Sequence, residues 1–200
     1  MPSLDPTPDA AGRSPASRSG TQTAIVPGTT SVNSRFLRSS TALHYEAMSR
    51  RSASGFDLEP LAPADRARLA AGLSREERRV LVEHGTEPPF CGTLLNTKAD
   101  GVYACRLCEL PLFRSRTKFE SGTGWPSFFE PFDPDHVTQV RDLSYGMQRV
   151  EIRCRRCDGH LGHVFDDGPP PTGQRYCLNS ASLSFVPAGT GPPPDAPPNR

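Results

Sequence analysis

The strongest chemical signal in the sequence is a repeated pair of cysteines. Cys105 and Cys108 form one Cys-x-x-Cys unit, Cys154 and Cys157 form another, and 45 residues separate the two. Four thiolates are the tetrahedral ligand set that Zn(II) prefers, with bonds of about 2.3 Å, and such a closed set leaves no position for a reactive water. Redox-active pairs and disulfides are alternatives, but the sequence shows neither a secretory signal nor a thioredoxin-like βαβ pattern. We therefore predict one structural zinc per chain.

Two histidines extend the second cysteine pair. His160 and His163 continue it as C-x-x-C-x-x-H-x-x-H, which would also suit a zinc site of two cysteines and two histidines. That assignment leaves the first pair without a function, so the four cysteines are favoured and both histidines are free for other chemistry. Because side chains alternate along a strand, residues three apart should lie on opposite faces. One histidine is therefore expected at a site and the other in the fold, with His163 the better site candidate.

Two cysteines remain, Cys91 and Cys177. Arg175 lies two residues before Cys177, and a guanidinium on the same side of a strand would favour the nucleophilic thiolate. A buried cysteine with a purely structural role is the alternative. These residues alone favour neither interpretation.

The only tryptophan in the sequence is another candidate site residue. Trp125 follows Gly122 and Gly124 and precedes Pro126, which predicts a fixed loop that presents an aromatic face. A flat indole can receive a methyl or thioether group, whereas the alternative is a core tryptophan near the zinc. The Asp-Gly-Pro-rich segment 166–173 is either a rigid turn that returns the chain to Cys177 or an ordinary loop.

Local patterns indicate the elements that must position these residues. A helix is predicted from Pro63 to Ala71, and a capping box formed by Ser74 and Glu77 starts a second one that runs to His84. From residue 102 onward the hydrophobic period is two, with Gly, Pro and Asp between the runs, which predicts short antiparallel strands.

Composition bounds the protein class and the domain limits. Residues 1–55 contain 11 Ser, six Arg and only three acids, which predicts a disordered leader, with Met48 as a second possible start and an organellar presequence as an alternative. Residues 187–200 contain six prolines and are predicted to be a disordered tail.

With 35% hydrophobic residues and a net charge of +1, neither a membrane span nor attraction to polyanions is expected. We expect a cytoplasmic protein, or an organellar one if residues 1–55 are a presequence.

Taken together, the motifs resemble those of the methionine-R-sulfoxide reductases of the B type. The resemblance spans Phe56 to Val186 and depends on the two cysteine pairs and on three further segments, Ser-Gly-Thr-Gly-Trp-Pro-Ser-Phe (121–128), His-Leu-Gly-His-Val-Phe (160–165) and Arg-Tyr-Cys-Leu-Asn-Ser (175–180). It implies a reductase domain over residues 56–186. The expected fold is mainly β, with two antiparallel sheets around a zinc-stapled core and short N-terminal helices.

The resemblance also implies roles for the site residues. Cys177 would attack the sulfoxide sulfur and become a sulfenic acid, while His163, helped by His160 or water, would supply the proton. Arg175 would lower the pKa of the thiol, Asn179 would orient bound groups, and Trp125 would receive the substrate methyl.

One residue departs from the family pattern. Many members carry a resolving cysteine where this chain has Thr123. The resemblance therefore implies that Cys91 resolves the sulfenic acid as a disulfide with Cys177, which thioredoxin or a similar dithiol then reduces. Direct reduction by a small thiol is the alternative. The expected partners are oxidised proteins or peptides that contain methionine-R-sulfoxide and the dithiol donor, but not nucleic acid or a membrane, and the enzyme is expected to be a monomer.

Other function classes remain possible from the sequence. A non-catalytic, zinc-stapled β module that binds a protein partner would need neither Cys177 nor His163. Nucleic-acid binding through arginines at positions 153, 155 and 156 competes with an ordinary solvated face. An acyl-transfer enzyme using Cys177, His163 and Asn179 lacks the downstream His and Asn order of such peptidases.

Overall fold

The computed structural model describes residues 51–190, apart from the side chain of Tyr145. The predicted leader up to residue 50 and the predicted tail from residue 191 lie outside the described residues. Ser52 lies on the leader side of the predicted boundary and is nevertheless buried, and its hydroxyl contacts His136 Nε2 at 2.9 Å. The packed part of the chain therefore includes residues before Phe56.

Two short helices precede the sheets, α1 over Pro63–Ala70 and α2 over Arg75–Leu81. The capping box of α2 is present, since Ser74 Oγ accepts from the Glu77 amide and the Glu77 carboxylate accepts from the Ser74 amide. The predicted end at His84 is wrong by three residues. His84 itself adopts a left-handed conformation, with φ of 57°, and its side chain turns towards the sheet, where Nδ1 contacts Glu151.

The strands of the described residues form two antiparallel sheets, as predicted. The smaller sheet has the order β2-β1-β9, with β1 at Gly101–Cys105, β2 at Pro111–Arg114 and β9 at Leu183–Pro187. The larger sheet has the order β3-β4-β8-β7-β6-β5. Its strands are β3 (Lys118–Phe119), β4 (Ser127–Phe128), β5 (Val137–Asp142), β6 (Arg149–Cys154), β7 (His160–Phe165) and β8 (Arg175–Leu178).

A buried aromatic cluster joins the two sheets. Tyr103 of β1 meets Phe128 of β4 edge-on at 4.9 Å between ring centroids, and Phe113 of β2 stacks on Phe128 at 4.7 Å. All three rings are fully buried. Such contacts contribute beyond their buried area, so the sheets are held at a fixed distance and orientation.

A bulge in β7 changes the faces of its histidines. Ile152 of β6 pairs with Gly162, but the next residue, Arg153, pairs with His160, so β7 carries Leu161 as an extra residue. A bulge of this kind reverses the alternation of side chains beyond it. His160 and His163 consequently meet, with ring centroids 5.6 Å apart. The expectation that they occupy opposite faces is wrong, because it assumed unbroken alternation.

No helix among the described residues is long and apolar enough to cross a membrane.

Candidate active site and metal centre

The four paired cysteines converge into one buried cluster. Cys105 Sγ lies 3.5 Å from Cys157 Sγ, Cys108 Sγ lies 3.5 Å from Cys154 Sγ, and all four sulfurs lie within 4.8 Å of one another. Zinc–sulfur bonds of about 2.3 Å in a tetrahedron place sulfurs about 3.8 Å apart, close to the separations seen here. The cluster could therefore hold a metal ion. It connects the end of β1 to the end of β6 and so links the two sheets.

Both cysteine pairs use the same local turn. Glu109 and Asp158 follow the second cysteine of each pair, and each takes a left-handed conformation, with φ of 62° and 55°. The amide of each donates to the carbonyl of the first cysteine at 2.9 Å. The turn that orients both sulfurs is closed by local hydrogen bonds. For this reason the C-x-x-C pattern predicts the local geometry from the sequence.

Cys177 lies in the middle of the larger sheet. On β8 it pairs with Ser127 of β4 on one side and with His163 of β7 on the other. Strands β7 and β8 approach closely at Gly162, where an added Cβ would lie 2.1 Å from the Cys177 carbonyl oxygen. The register therefore sets the candidate nucleophile beside the candidate acid, and glycine permits the approach.

A small cavity opens at this thiol. Its volume is about 120 Å³, and it is lined by residues from the predicted set and from outside it: Thr86, Trp125, Arg149, Gly162, His163, Phe165, Cys177, Leu178 and Asn179. Cys177 is partly buried, and burial raises the pKa of its thiol, although a hydrogen bond with Thr123 and the charge of Arg175 act in the opposite direction. The predicted effect of Arg175 is thus present but smaller than the effect of burial.

Arg175 and Asn179 both form hydrogen bonds with neighbouring residues. The Arg175 guanidinium makes two contacts of 2.8 Å with the Asp167 carboxylate and lies over the Phe165 ring at 4.4 Å. Asn179 follows the end of β8. Its Oδ1 accepts from the Glu87 amide at 3.0 Å, and its Nδ2 donates to the Leu161 carbonyl. The asparagine therefore orients backbone around the cavity as well as lining it.

Asp142 is a site residue that the sequence did not reveal. Its Oδ2 lies 2.9 Å from His163 Nε2 and 2.7 Å from an Arg149 guanidinium nitrogen. Hydrogen bonds with Ser144 and then with His163 hold the pKa of the Asp142 carboxyl well below its usual range. An ionised carboxylate only accepts, so His163 Nε2 must carry a proton.

His160 belongs to a second network centred on Glu151. Glu151 Oε1 accepts from His160 Nδ1 at 2.7 Å and from His84 Nδ1 at 2.8 Å, while Oε2 accepts from Arg153 at 2.8 Å. Burial raises the pKa of the Glu151 carboxyl, but its bonds with Arg153, His160 and His84 outweigh burial and lower it to about 2.

Burial also favours neutral His160, because it lowers the pKa of the imidazole. The ligand atoms of His84, Glu151 and His160 lie close enough to hold an ion. Their hydrogen bonds account for the arrangement without one.

Glu87 is another site residue that the sequence did not reveal. It is 5% exposed, and its carboxylate accepts from the amides of Ser180 and Ala181 at 2.6 and 2.9 Å. Its carbonyl accepts from Trp125 Nε1 at 3.0 Å. Glu87 thus fixes the indole and the turn after β8. A lone acid in an aperiodic segment carries no signal of this in the sequence, because its partners lie 38 to 94 residues away.

Cys91 lies outside the cavity. It is exposed, and all six cysteines in the described range are free thiols. Its segment is held on both sides, since the Phe90 amide donates to the Gly124 carbonyl at 2.8 Å and Gly92 packs against Ser180. Cys91 therefore starts close to the turn that follows Cys177.

A hydroxyl group stands where the family pattern often has a thiol. Thr123 Oγ1 contacts Cys177 Sγ at 3.7 Å and Ser121 Oγ at 2.8 Å, and Ser121 Oγ contacts Ser127 Oγ at 2.7 Å. Ser127 Oγ donates to the Trp125 carbonyl at 3.2 Å. The nucleophile candidate thus terminates a chain of three hydroxyl groups.

Comparison with known proteins yields one consistent family. The SelR domain model matches residues 73–187. Peptide methionine sulfoxide reductase MsrB of Caulobacter vibrioides (strain NA1000 / CB15N) is 65% identical over 144 residues, which cover 72% of this chain and 90% of the relative. The proteins of the same name from Xylella fastidiosa (strain M23) and Escherichia coli O45:K1 (strain S88 / ExPEC) are 60% and 58% identical, covering 68% and 62% of this chain and 87% and 90% of theirs. The chain therefore belongs to the SelR domain family, the methionine-R-sulfoxide reductases of the B type.

Proposed function

We propose that this reductase acts on methionine-R-sulfoxide in proteins, that Cys177 is its nucleophile, and that Cys91 completes the cycle as the resolving thiol. Reduction of methionine sulfoxide is the activity of its family. The observation that supports this assignment best is the strand register, which sets Cys177 beside His163 at one cavity with Trp125. A cavity of about 120 Å³ suits the end of one side chain, with the polypeptide remaining outside.

In the first step the Cys177 thiolate attacks the sulfoxide. The sulfur–oxygen bond of the substrate breaks, a sulfur–oxygen bond forms on Cys177, and one proton is taken up. The substrate sulfur is reduced by two electrons to the thioether, and the cysteine is oxidised to a sulfenic acid. His163 provides the proton for the developing charge on oxygen, and Asp142 orients its imidazole by accepting from Nε2.

Substrate recognition depends on Trp125 and on the groups that face it across the cavity. The indole is held at its nitrogen by Glu87, so its face is a fixed apolar wall for the methyl group. With the oxygen directed towards the donors and the methyl towards the indole, only one arrangement around the chiral sulfur fits. Selectivity for the R epimer follows.

In the second step the Cys91 thiolate attacks the Cys177 sulfur and the disulfide forms. The sulfur–oxygen bond on Cys177 breaks, and the hydroxyl takes up one proton and leaves as water. A dithiol of the thioredoxin class then reduces the disulfide. Cys91 must move into the cavity for this step, which its exposed position permits.

Zinc is the proposed occupant of the four-cysteine cluster. Cys105, Cys108, Cys154 and Cys157 would bind it as thiolates and leave no open position. The ion would supply structural stability by linking the sheets and take no part in the transfer of oxygen.

The decisive experiment is a single turnover of the zinc-loaded full chain with each sulfoxide epimer, followed by a count of free thiols. Wild type should consume only the R epimer and lose two thiols. The Cys91→Ser variant should still form methionine once but lose a single thiol, and Cys177→Ser should form none. Equal consumption of both epimers, or methionine formation by Cys177→Ser, would contradict the proposal.

A further inference from the structure

The hydroxyl chain at Cys177 has a defined direction. Each hydroxyl has one proton, and a carbonyl can only accept, so the contact of Ser127 with the Trp125 carbonyl uses the Ser127 proton. The contact between Ser121 and Ser127 must then use the proton of Ser121. Ser121 can therefore only accept from Thr123, and the direction of the whole chain follows from one carbonyl.

Thr123 has one proton and two acceptors for it. Its Oγ1 lies 2.8 Å from Ser121 Oγ and 3.7 Å from Cys177 Sγ. Ser121 Oγ also lies 3.4 Å from the Thr123 amide nitrogen, which donates to it. The serine oxygen therefore keeps a donor when the threonine hydroxyl turns away.

The charge on Cys177 decides between these acceptors. A thiol is a weak acceptor, so with neutral Cys177 the Thr123 proton belongs to Ser121. A thiolate in a partly buried site is a charged acceptor, and charge-assisted hydrogen bonds are about twice as strong as neutral ones. Burial raises the pKa of this thiol, and the hydrogen bond with Thr123 is the largest of the effects that lower it, ahead of the charge of Arg175 and a hydrogen bond with Ser127. A donor that turns to the sulfur when it ionises therefore offsets part of the burial penalty.

We propose that Thr123 is a catalytic residue whose hydroxyl proton switches from Ser121 to the Cys177 sulfur and stabilises the thiolate nucleophile. This inference depends on the proposed function of Cys177 as nucleophile. It gives Thr123 a positive role in the first step, whereas the departure from the family pattern had indicated only a missing resolving thiol.

The test is the rate at which iodoacetamide alkylates Cys177 in the zinc-loaded full chain, located by mass spectrometry across a pH series. Thr123→Val removes the donor and should slow alkylation at neutral pH about tenfold, because a hydrogen bond to a charged group contributes about 1.5 kcal/mol or more. Thr123→Ser keeps the donor and should restore the rate to within about twofold.

Ser121→Ala separates this switch from general packing. Removing Ser121 leaves the Thr123 proton with the sulfur alone, so alkylation should be as fast as in wild type or faster. A fall matching that of Thr123→Val, or a wild-type rate in Thr123→Val itself, would overturn the proposal. The assay needs no sulfoxide, so failure of the reductase assignment and failure of this inference are distinguishable.

Discussion

Two groups of cysteines in this chain show opposite ways of using a thiol. The four clustered sulfurs are buried, lie within 4.8 Å of one another and are oriented by turns closed within each pair. Cys177 stands alone on β8, partly exposed at a cavity, and its neighbours come from other strands and loops. The surroundings of a thiol therefore decide its use: four equivalent buried thiols could close around a metal ion, whereas the proposed nucleophile is a single sulfur among mixed donors at a cavity.

The largest effect is expected from a substitution in the four-cysteine cluster. Cys105→Ser removes one of four ligands, and since binding of structural zinc contributes about 10 kcal/mol or more to folding, the domain should lose zinc and unfold or melt far lower. Metal content and thermal melting measure both outcomes. Cys91→Ser is the matched control, because it removes an exposed thiol outside the cluster and should change neither. A Cys105→Ser protein with full zinc content and normal melting would contradict the proposed zinc site of four cysteines.

Changes around Cys177 should alter the rate of sulfoxide reduction and not the stability of the fold. Asp142→Asn replaces the charged acceptor that orients the His163 imidazole, so kcat/KM for methionine-R-sulfoxide should fall about 10- to 100-fold, while melting and zinc content stay near wild type. The loss should be smaller than the roughly 10²- to 10⁴-fold that acid catalysis as a whole contributes, because His163 itself remains. Asp135→Asn is the control, because it lies beyond the opposite end of β5 and should leave the rate unchanged. An unchanged kcat/KM in Asp142→Asn would mean that the carboxylate does not act through His163.

Glu151 lies on β6, three residues before Cys154 of the four-cysteine cluster, and it contacts His160. Its folded pKa of about 2 is below the usual 4.5, so its stabilisation is complete above about pH 4.5 and is lost as the pH falls towards 2. Glu151→Gln should cost about 1–3 kcal/mol of unfolding free energy at pH 6, and the difference from wild type should shrink at pH 3.

Urea unfolding of both proteins across this pH range measures the difference directly. Comparing the variant with wild type cancels the acid sensitivity that the proposed zinc site imposes on both. A difference that stays constant with pH would show that the Glu151 charge is not what stabilises the network.

Short-range features were predictable from the sequence. The capping box of α2 joins residues three apart, and each C-x-x-C turn is closed within the pair, so the residue types alone imply the geometry. The two antiparallel sheets were also expected correctly. Where a local irregularity intervened the prediction was wrong: the extra residue Leu161 in β7 brings His160 and His163 together, and the left-handed His84 follows a helix that ends three residues early.

The residue types that could bind a metal or attack sulfur are evident from the sequence, and the order of the motifs identifies the family. The partners of those residues are visible in the folded chain alone: Asp142 for His163, Glu87 for Trp125, and Thr123 for Cys177. The physical reason is that these contacts cross strands and loops 21 to 54 residues apart. Strand register sets such pairings, and a shift of one residue would point every side chain to the other face.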